Sequence, residues 1–186
     1  MFVKGFYHRL SRSRSLTVLL LIAASLGLGV LSLRFAAVLR ADEMFDSYFE
    51  NHWIAFLNLL PCVWLALTLW FATQRAAVAF ALSSLLVMGL SIASWFKLQF
   101  RNDPLMFEDL LLVKEAGNMS GRYQLFVTKS MLAALAVLLA AVLVLAFLGR
   151  ARLPWKARLA GVLVLLLCHG KALHGYGYLY QQNGKL

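Results

Sequence analysis

The sequence predicts an all-α integral membrane protein with five transmembrane helices. Its N-terminus is expected inside and its C-terminus outside, with a short amphipathic helix at the interface between the third and fourth spans. Three observations carry this reading. Of 186 residues, 62% are hydrophobic and 14% are charged, against about 45–50% and 25% in a soluble domain. Five apolar runs are long enough, or nearly so, to cross a hydrocarbon core of about 20 helical residues. The charges are also segregated, with bases alone on one set of connecting segments and every acid on the other.

The first helix is expected over about 16–39. Lys4, Arg9, Arg12 and Arg14 precede the run LTVLLLIAASLGLGVLSL, in the charge-then-apolar order of a secretory signal. Length argues for a retained span, because a signal's apolar region covers only about 7–15 residues. The small residues Ala23, Ala24 and Gly27 are what a cleavage reading would use.

The second helix, about 53–73, contains Asn58 and Pro61 in NLLPCVW. Proline removes a backbone hydrogen bond and tends to kink a helix, while asparagine can bond to a neighbouring helix, so both are read as helix-packing residues. The third is expected over about 76–97 and the fourth over about 129–149. The fifth, about 157–175, is interrupted by His169 and Lys171. None of these runs shows the alternating pattern of a membrane barrel strand, and irregular backbone cannot face lipid, so each is a helix. With no internal repeat and no Pro/Gly/Ser-rich linker, residues 1–186 form one domain.

Orientation follows from the rule that Lys and Arg near short loops stay on the cytoplasmic side. With the N-terminus inside, the inner segments hold Lys4, Arg9, Arg12, Arg14, Arg75, Arg150, Arg152, Lys156 and Arg158, without an acid. Asp42, Glu43, Asp46 and Glu50 then fall in the first outer loop, and Asp103, Glu108, Asp109 and Glu115 in the second. The inner clusters serve as topology determinants and are of a kind that also attracts anionic headgroups.

Several functions are disfavoured by the same residues. The net charge of +10 would suit nucleic acid only if the bases shared one soluble face, and they flank apolar runs instead. Cys62 and Cys168 lie in apolar segments without metal-ligand spacing, and are read as small buried or lipid-facing groups. His169 and His174 are five residues apart, on different helix faces, with no acid nearby in sequence. No metal site is therefore expected. No span carries an acid and no pair of broken helices is present, which argues against a transporter.

The anomaly is KLQFRNDPLMFEDLLLVKEA, residues 97–116, where seven of twenty residues are charged. Asp103 before Pro104 suits a helix start, since Asp accepts a free amide and proline in the first turn loses no hydrogen bond. Leu105, Phe107, Leu110, Leu111 and Val113 give a broad apolar side, and Gly117-Asn118 an end, so an interfacial helix is expected over about 104–117. Lys97 and Arg101 share a helix face ahead of it. Together with Asp103, Glu108, Asp109, Glu115 and Arg122, they form a candidate site for a phosphate-bearing headgroup, which the planar fork of Arg suits best. The competing reading is that these groups pair with one another and anchor the helices at the interface.

The pattern of Lys97, Arg101, Asp103-Pro104-Leu105, Glu108-Asp109-Leu110, Leu112 and Glu115-Ala116 resembles a segment in lipoteichoic acid synthase-like phosphoglycerol transferases, membrane-anchored enzymes of the sulfatase superfamily. NLLP at 58–61, GRY at 121–123 and YLYQQNG at 178–184 are similar to further parts of the same membrane domain. The resemblance implies a multi-pass domain of the bacterial cell (plasma) membrane. In that family a large extracellular domain follows, with a threonine nucleophile and a divalent metal, usually manganese. None of those catalytic or metal-binding residues maps onto this chain, so no catalytic residue and no cofactor is expected in it.

What the resemblance implies is an anchor that presents an anionic lipid, such as phosphatidylglycerol, to an extracellular catalytic domain. The alternative is a non-catalytic subunit or regulator of a cell-envelope complex. That alternative draws on the small residues of ALSSLLVMGLSIAS, which let a helix approach a neighbour closely.

Overall fold

A computed structural model describes residues 13–36, 49–101, 105, 109 and 127–183. Within them lie five helices and no strand: α1 (Arg14–Ala36), α2 (His52–Thr73), α3 (Ala76–Arg101), α4 (Lys129–Leu148) and α5 (Trp155–Asn183). The first four are each long and apolar enough to cross a membrane. The protein is therefore an all-α, membrane-type fold.

Local chemistry sets the helix ends. Ser13 precedes α1 and its hydroxyl accepts the Leu16 amide at 3.4 Å. Asn51 caps α2 by accepting the Trp53 amide at 2.8 Å. Thr128 caps α4 by accepting the Met131 amide at 3.2 Å, so each side chain satisfies an amide that has no carbonyl one turn back. Helix α2 runs through Pro61 without a break and stops at Gln74, whose φ of 57° lies in the left-handed region. This conformation closes the helix and costs a residue with a Cβ roughly 1–2 kcal/mol. It also allows α3 to start two residues later.

Helices α1, α2 and α3 pack against one another, α4 lies against α1 and α3, and α5 lies against α2. The core contains Leu21 and Leu28 of α1, Leu57, Ala66 and Trp70 of α2, Ala79 and Phe80 of α3, and Leu145 of α4. Small residues permit the close approach that replaces hydrophobic exclusion as the source of helix association in lipid. Gly29 shows this, because an added Cβ would stand 2.8 Å from Leu59 Cδ2 across the α1–α2 contact. The buried hydroxyls of Ser25, Ser32 and Ser83 donate to the carbonyls of Leu21, Gly29 and Ala79 at 2.7–2.8 Å. These three hydroxyls are thus satisfied within their own helices, as an apolar solvent demands, whereas the buried Trp70 Nε1 and Ser84 Oγ have no hydrogen-bond partner among the described residues.

The residues that suggested close helix approach on α3 divide between two faces. Ser83 and Ser84 are buried inside the bundle. Gly89 has open space around the position a Cβ would take. Large apolar side chains also point outward on α4 and α5, among them Leu132, Leu135, Leu139, Leu163 and Leu167. Such a surface suits a lipid solvent.

At one end, residues 149–154 carry the chain from α4 on one flank of the three-helix core to α5 on the other. The Ala151 amide donates to Thr17 Oγ1 at 3.4 Å and the Leu153 amide to Gln74 Oε1 at 2.7 Å. This clasp gathers the start of α1, the α2–α3 turn and the α4–α5 connector. The far end consequently holds the last turn of α1, the start of α2, the end of α3 and the start of α4.

Relative to the expected bounds, α3 runs on through Arg101 and α5 through Asn183. The expected interfacial helix lies outside the described residues, apart from positions 105 and 109.

Candidate functional site

The polar sequence begins on α3 itself. Its last turns carry Ser94 and Lys97, and both contact the chain that follows. Lys97 Nζ donates to Asp109 Oδ2 at 2.7 Å, forming an ion pair with side-chain exposures of 15% and 23%. The Leu105 amide donates to Ser94 Oγ at 3.3 Å. Residues 105 and 109 are therefore folded back beside positions 94 and 97. The pair is largely withdrawn from water, where a charge left alone would cost several kcal/mol and a paired one far less.

Among the candidate headgroup ligands, Lys97 and Asp109 are brought together. The backbone of Arg101 ends α3, one helical turn beyond Lys97. Asp103, Glu108, Glu115 and Arg122 lie outside the described residues. Of the two expected packing residues, Asn58 is half-buried and Pro61 is exposed on the outer surface of α2. Among the described residues, no group of three or more His, Cys, Asp or Glu side chains converges as a metal site. Cys62 is buried and Cys168 exposed, and His169 meets the ring of Trp64 edge-on at 4.6 Å between centroids.

A second feature at the far end was not singled out by the sequence. A cleft of about 550 Å3 opens where the last turns of α1, the end of α3 and the first turns of α4 meet. Leu31, Phe35, Trp95 and Val137 supply apolar walls, while Arg34, Thr128 and Ser130 bring polar groups to it. The available signals were Arg34 at the end of an apolar run and Thr-Lys-Ser at the start of another. Their separation in the chain hides their proximity.

The geometry offers two elements at one end of the bundle, a part-buried ion pair between Lys97 and Asp109 and an amphipathic cleft. Neither contains an activated nucleophile with an adjacent base among the described residues. Comparison with known proteins finds no matching family model, no matching curated protein and no matching solved structure.

Proposed function

We propose that this chain is a five-helix membrane domain of the bacterial cell membrane, N-terminus inside and C-terminus outside, that presents an anionic lipid to an extracellular catalytic domain. The class in view is the lipoteichoic acid synthase-like phosphoglycerol transferases, which the polar segment resembles. The observation that supports this most is the double attachment of that segment to α3, through Lys97–Asp109 and Ser94–Leu105. These two contacts hold Leu105 and Asp109 against the end of α3, and preorganised charge is what headgroup recognition requires.

In this reading Lys97 is neutralised by Asp109 and acts as a positioning residue. Arg101, one turn further along α3, is the cation best suited to a phosphate because its guanidinium donates two parallel hydrogen bonds. The orientation is supported by the clasp end, which carries Arg14, Arg75, Arg150, Arg152, Lys156 and Arg158 and, among the described residues, no acid. That is the pattern held on the cytoplasmic side.

The test uses the protein in its own membranes. Replacing Arg101 and Glu115 together by Ala should reduce both glycerophosphate polymer at the cell surface and recovery of anionic lipid with the protein. Unchanged polymer and unchanged lipid would reject lipid presentation. An antibody against residues 42–51 reports the size of the native protein in the same samples. A band several times heavier than 20.8 kDa supports linkage to a catalytic domain, whereas a band near that mass directs the search to a separate partner.

A further inference from the structure

The clasp end concentrates positive charge from segments that lie far apart in the chain. The hydrogen bonds from Ala151 to Thr17 and from Leu153 to Gln74 bring together the start of α1, the α2–α3 turn and residues 149–154. Each of these segments carries bases next to the bonded residues. Arg14, Arg75, Arg150, Arg152 and Lys156 therefore gather at one end of the bundle, and all five are exposed. Arg158 differs, because it is half-buried and spent on the Phe71 and Ala72 carbonyls.

The chain brings no anion to this end. All eight of its acids lie in the α1–α2 and α3–α4 connections, which leave and rejoin the bundle at its far end. Among the described residues, no carboxylate pairs with any of the five exposed bases. Arg150 gives its Nε to the Ala146 carbonyl at 2.8 Å and keeps its Nη donors. Like charges gathered on one face repel one another, so anions bound there stabilise the folded arrangement.

Trp155 sets the depth at which those anions are found. It is the first residue of α5 and is 66% exposed, and Lys156 Nζ stands 6.0 Å from the centre of its ring. A large ring presented outside the bundle beside an ammonium suits neither bulk water nor lipid tails, and tryptophan favours the headgroup level between them. The abundant anions at that level are lipid phosphates.

We infer that the clasp end binds anionic phospholipids by their phosphates, with Arg75, Arg150 and Arg152 as the headgroup contacts and Trp155 fixing the depth. A zwitterionic lipid fits less well, because it carries its own cation to the same face. The inference goes beyond orientation, which needs only the number of bases near each loop, whereas lipid binding needs them assembled on one face of the folded protein. It concerns the end of the bundle opposite Lys97 and Arg101 and does not depend on the transferase reading.

Native mass spectrometry of the full chain, purified in mild detergent, separates lipid binding from membrane insertion. Titrated with phosphatidylglycerol and with phosphatidylcholine of the same acyl composition, the wild type should retain the anionic lipid roughly tenfold more tightly. The preference should shrink as salt rises from about 0.05 to about 0.5 M, because exposed charges are screened. Arg75→Gln combined with Arg152→Gln should remove most of it. The matched control, Lys129→Gln combined with Lys171→Gln, takes the same charge from exposed positions outside the clasp and should leave the preference intact. Arg152→Glu, which reverses one exposed charge, should also lower it and keeps the inference falsifiable if the double variant folds poorly. Equal retention of the two lipids by the wild type would overturn the inference, and salt-sensitive binding of polyglutamate in its place would point to an acidic protein partner instead. An equal loss in the lysine control would overturn it too, since the preference would then report net charge alone. Loss of the whole preference in Arg101→Ala, with none in Arg75→Gln/Arg152→Gln, would overturn it in favour of a headgroup site on the polar segment.

Discussion

Arg158 reaches across from α5 to the end of α2, where its Nε donates to the Phe71 carbonyl at 2.8 Å and its Nη2 to the Ala72 carbonyl at 3.1 Å. Those carbonyls belong to the last turn of α2, where acceptors lack intrahelical donors and the helix dipole is negative. One guanidinium thus caps a helix formed more than eighty residues earlier and fixes α5 to α2, the helix it packs against. Arg158→Ala should destabilise the folded protein in detergent by about 1–2 kcal/mol, reduced from the buried value because the group is half-exposed. Arg158→Lys should recover only part of this, since an ammonium cannot reproduce the planar fork. Thermal unfolding of the three proteins checks the order.

Gly161 is the packing counterpart of that hydrogen-bonded cap. A Cβ there would fall 2.4–2.8 Å from the ring atoms of Phe71, so any side chain must push the ring aside while Arg158 holds the Phe71 carbonyl. Gly161→Ala should therefore cost about 1–3 kcal/mol as overpacking, despite the better helix propensity of alanine. Disulfide cross-linking between cysteines introduced on α2 and α5 should slow in this variant. An unchanged rate together with unchanged stability would show that α5 is not seated on α2 as described.

Gln74 allows backbone and side-chain contributions to be separated. Its φ of 57° favours glycine, while its Oε1 accepts the Leu153 amide at 2.7 Å. Both Gln74→Gly and Gln74→Ala lose the acceptor, but only alanine retains the left-handed penalty. The glycine variant should therefore be the more stable of the two by about 1 kcal/mol. Denaturation of both in the same detergent decides it, and equal stabilities would mean that the turn relaxes.

The Lys97–Asp109 pair ties residue 109 to the end of α3. Breaking the pair with Asp109→Asn should cost about 1–3 kcal/mol, between the values for exposed and fully buried pairs. It should also expose the segment after α3 to protease. Lys97→Met should be less harmful when combined with Asp109→Leu than alone, because the double change removes both charges of a part-buried pair together. Limited proteolysis of the four proteins would show this as slow, fast, fast and intermediate cleavage.

The membrane class, the helical character of the spans and their approximate positions were legible because lipid imposes a local rule. Each spanning segment must satisfy its own backbone and present apolar side chains, so length and hydropathy carry the information. The charged stretch after the third span stood out for the same reason, as an exception to that rule. Lys97 and Asp109 were both singled out, but their sequence spacing alone left pairing and ligand binding as competing readings. The cleft was not legible at all. Arg34, Trp95 and Ser130 belong to three helices, and each is an ordinary residue in its own segment.

Composition and the order of residues were therefore enough to specify the solvent this protein folds in, the type of secondary structure, and the separation of bases from acids along the chain. Tertiary structure alone decided that α4 and α5 flank different sides of the α1–α3 core, that Arg158 caps α2, and that Arg34 shares a cleft with the first turn of α4. The physical reason is that hydropathy acts on each helix separately and is nearly the same for every lipid-facing arrangement. Which helices meet depends on small-residue packing and on a few hydrogen bonds between distant segments, such as Thr17 with Ala151 and Gln74 with Leu153.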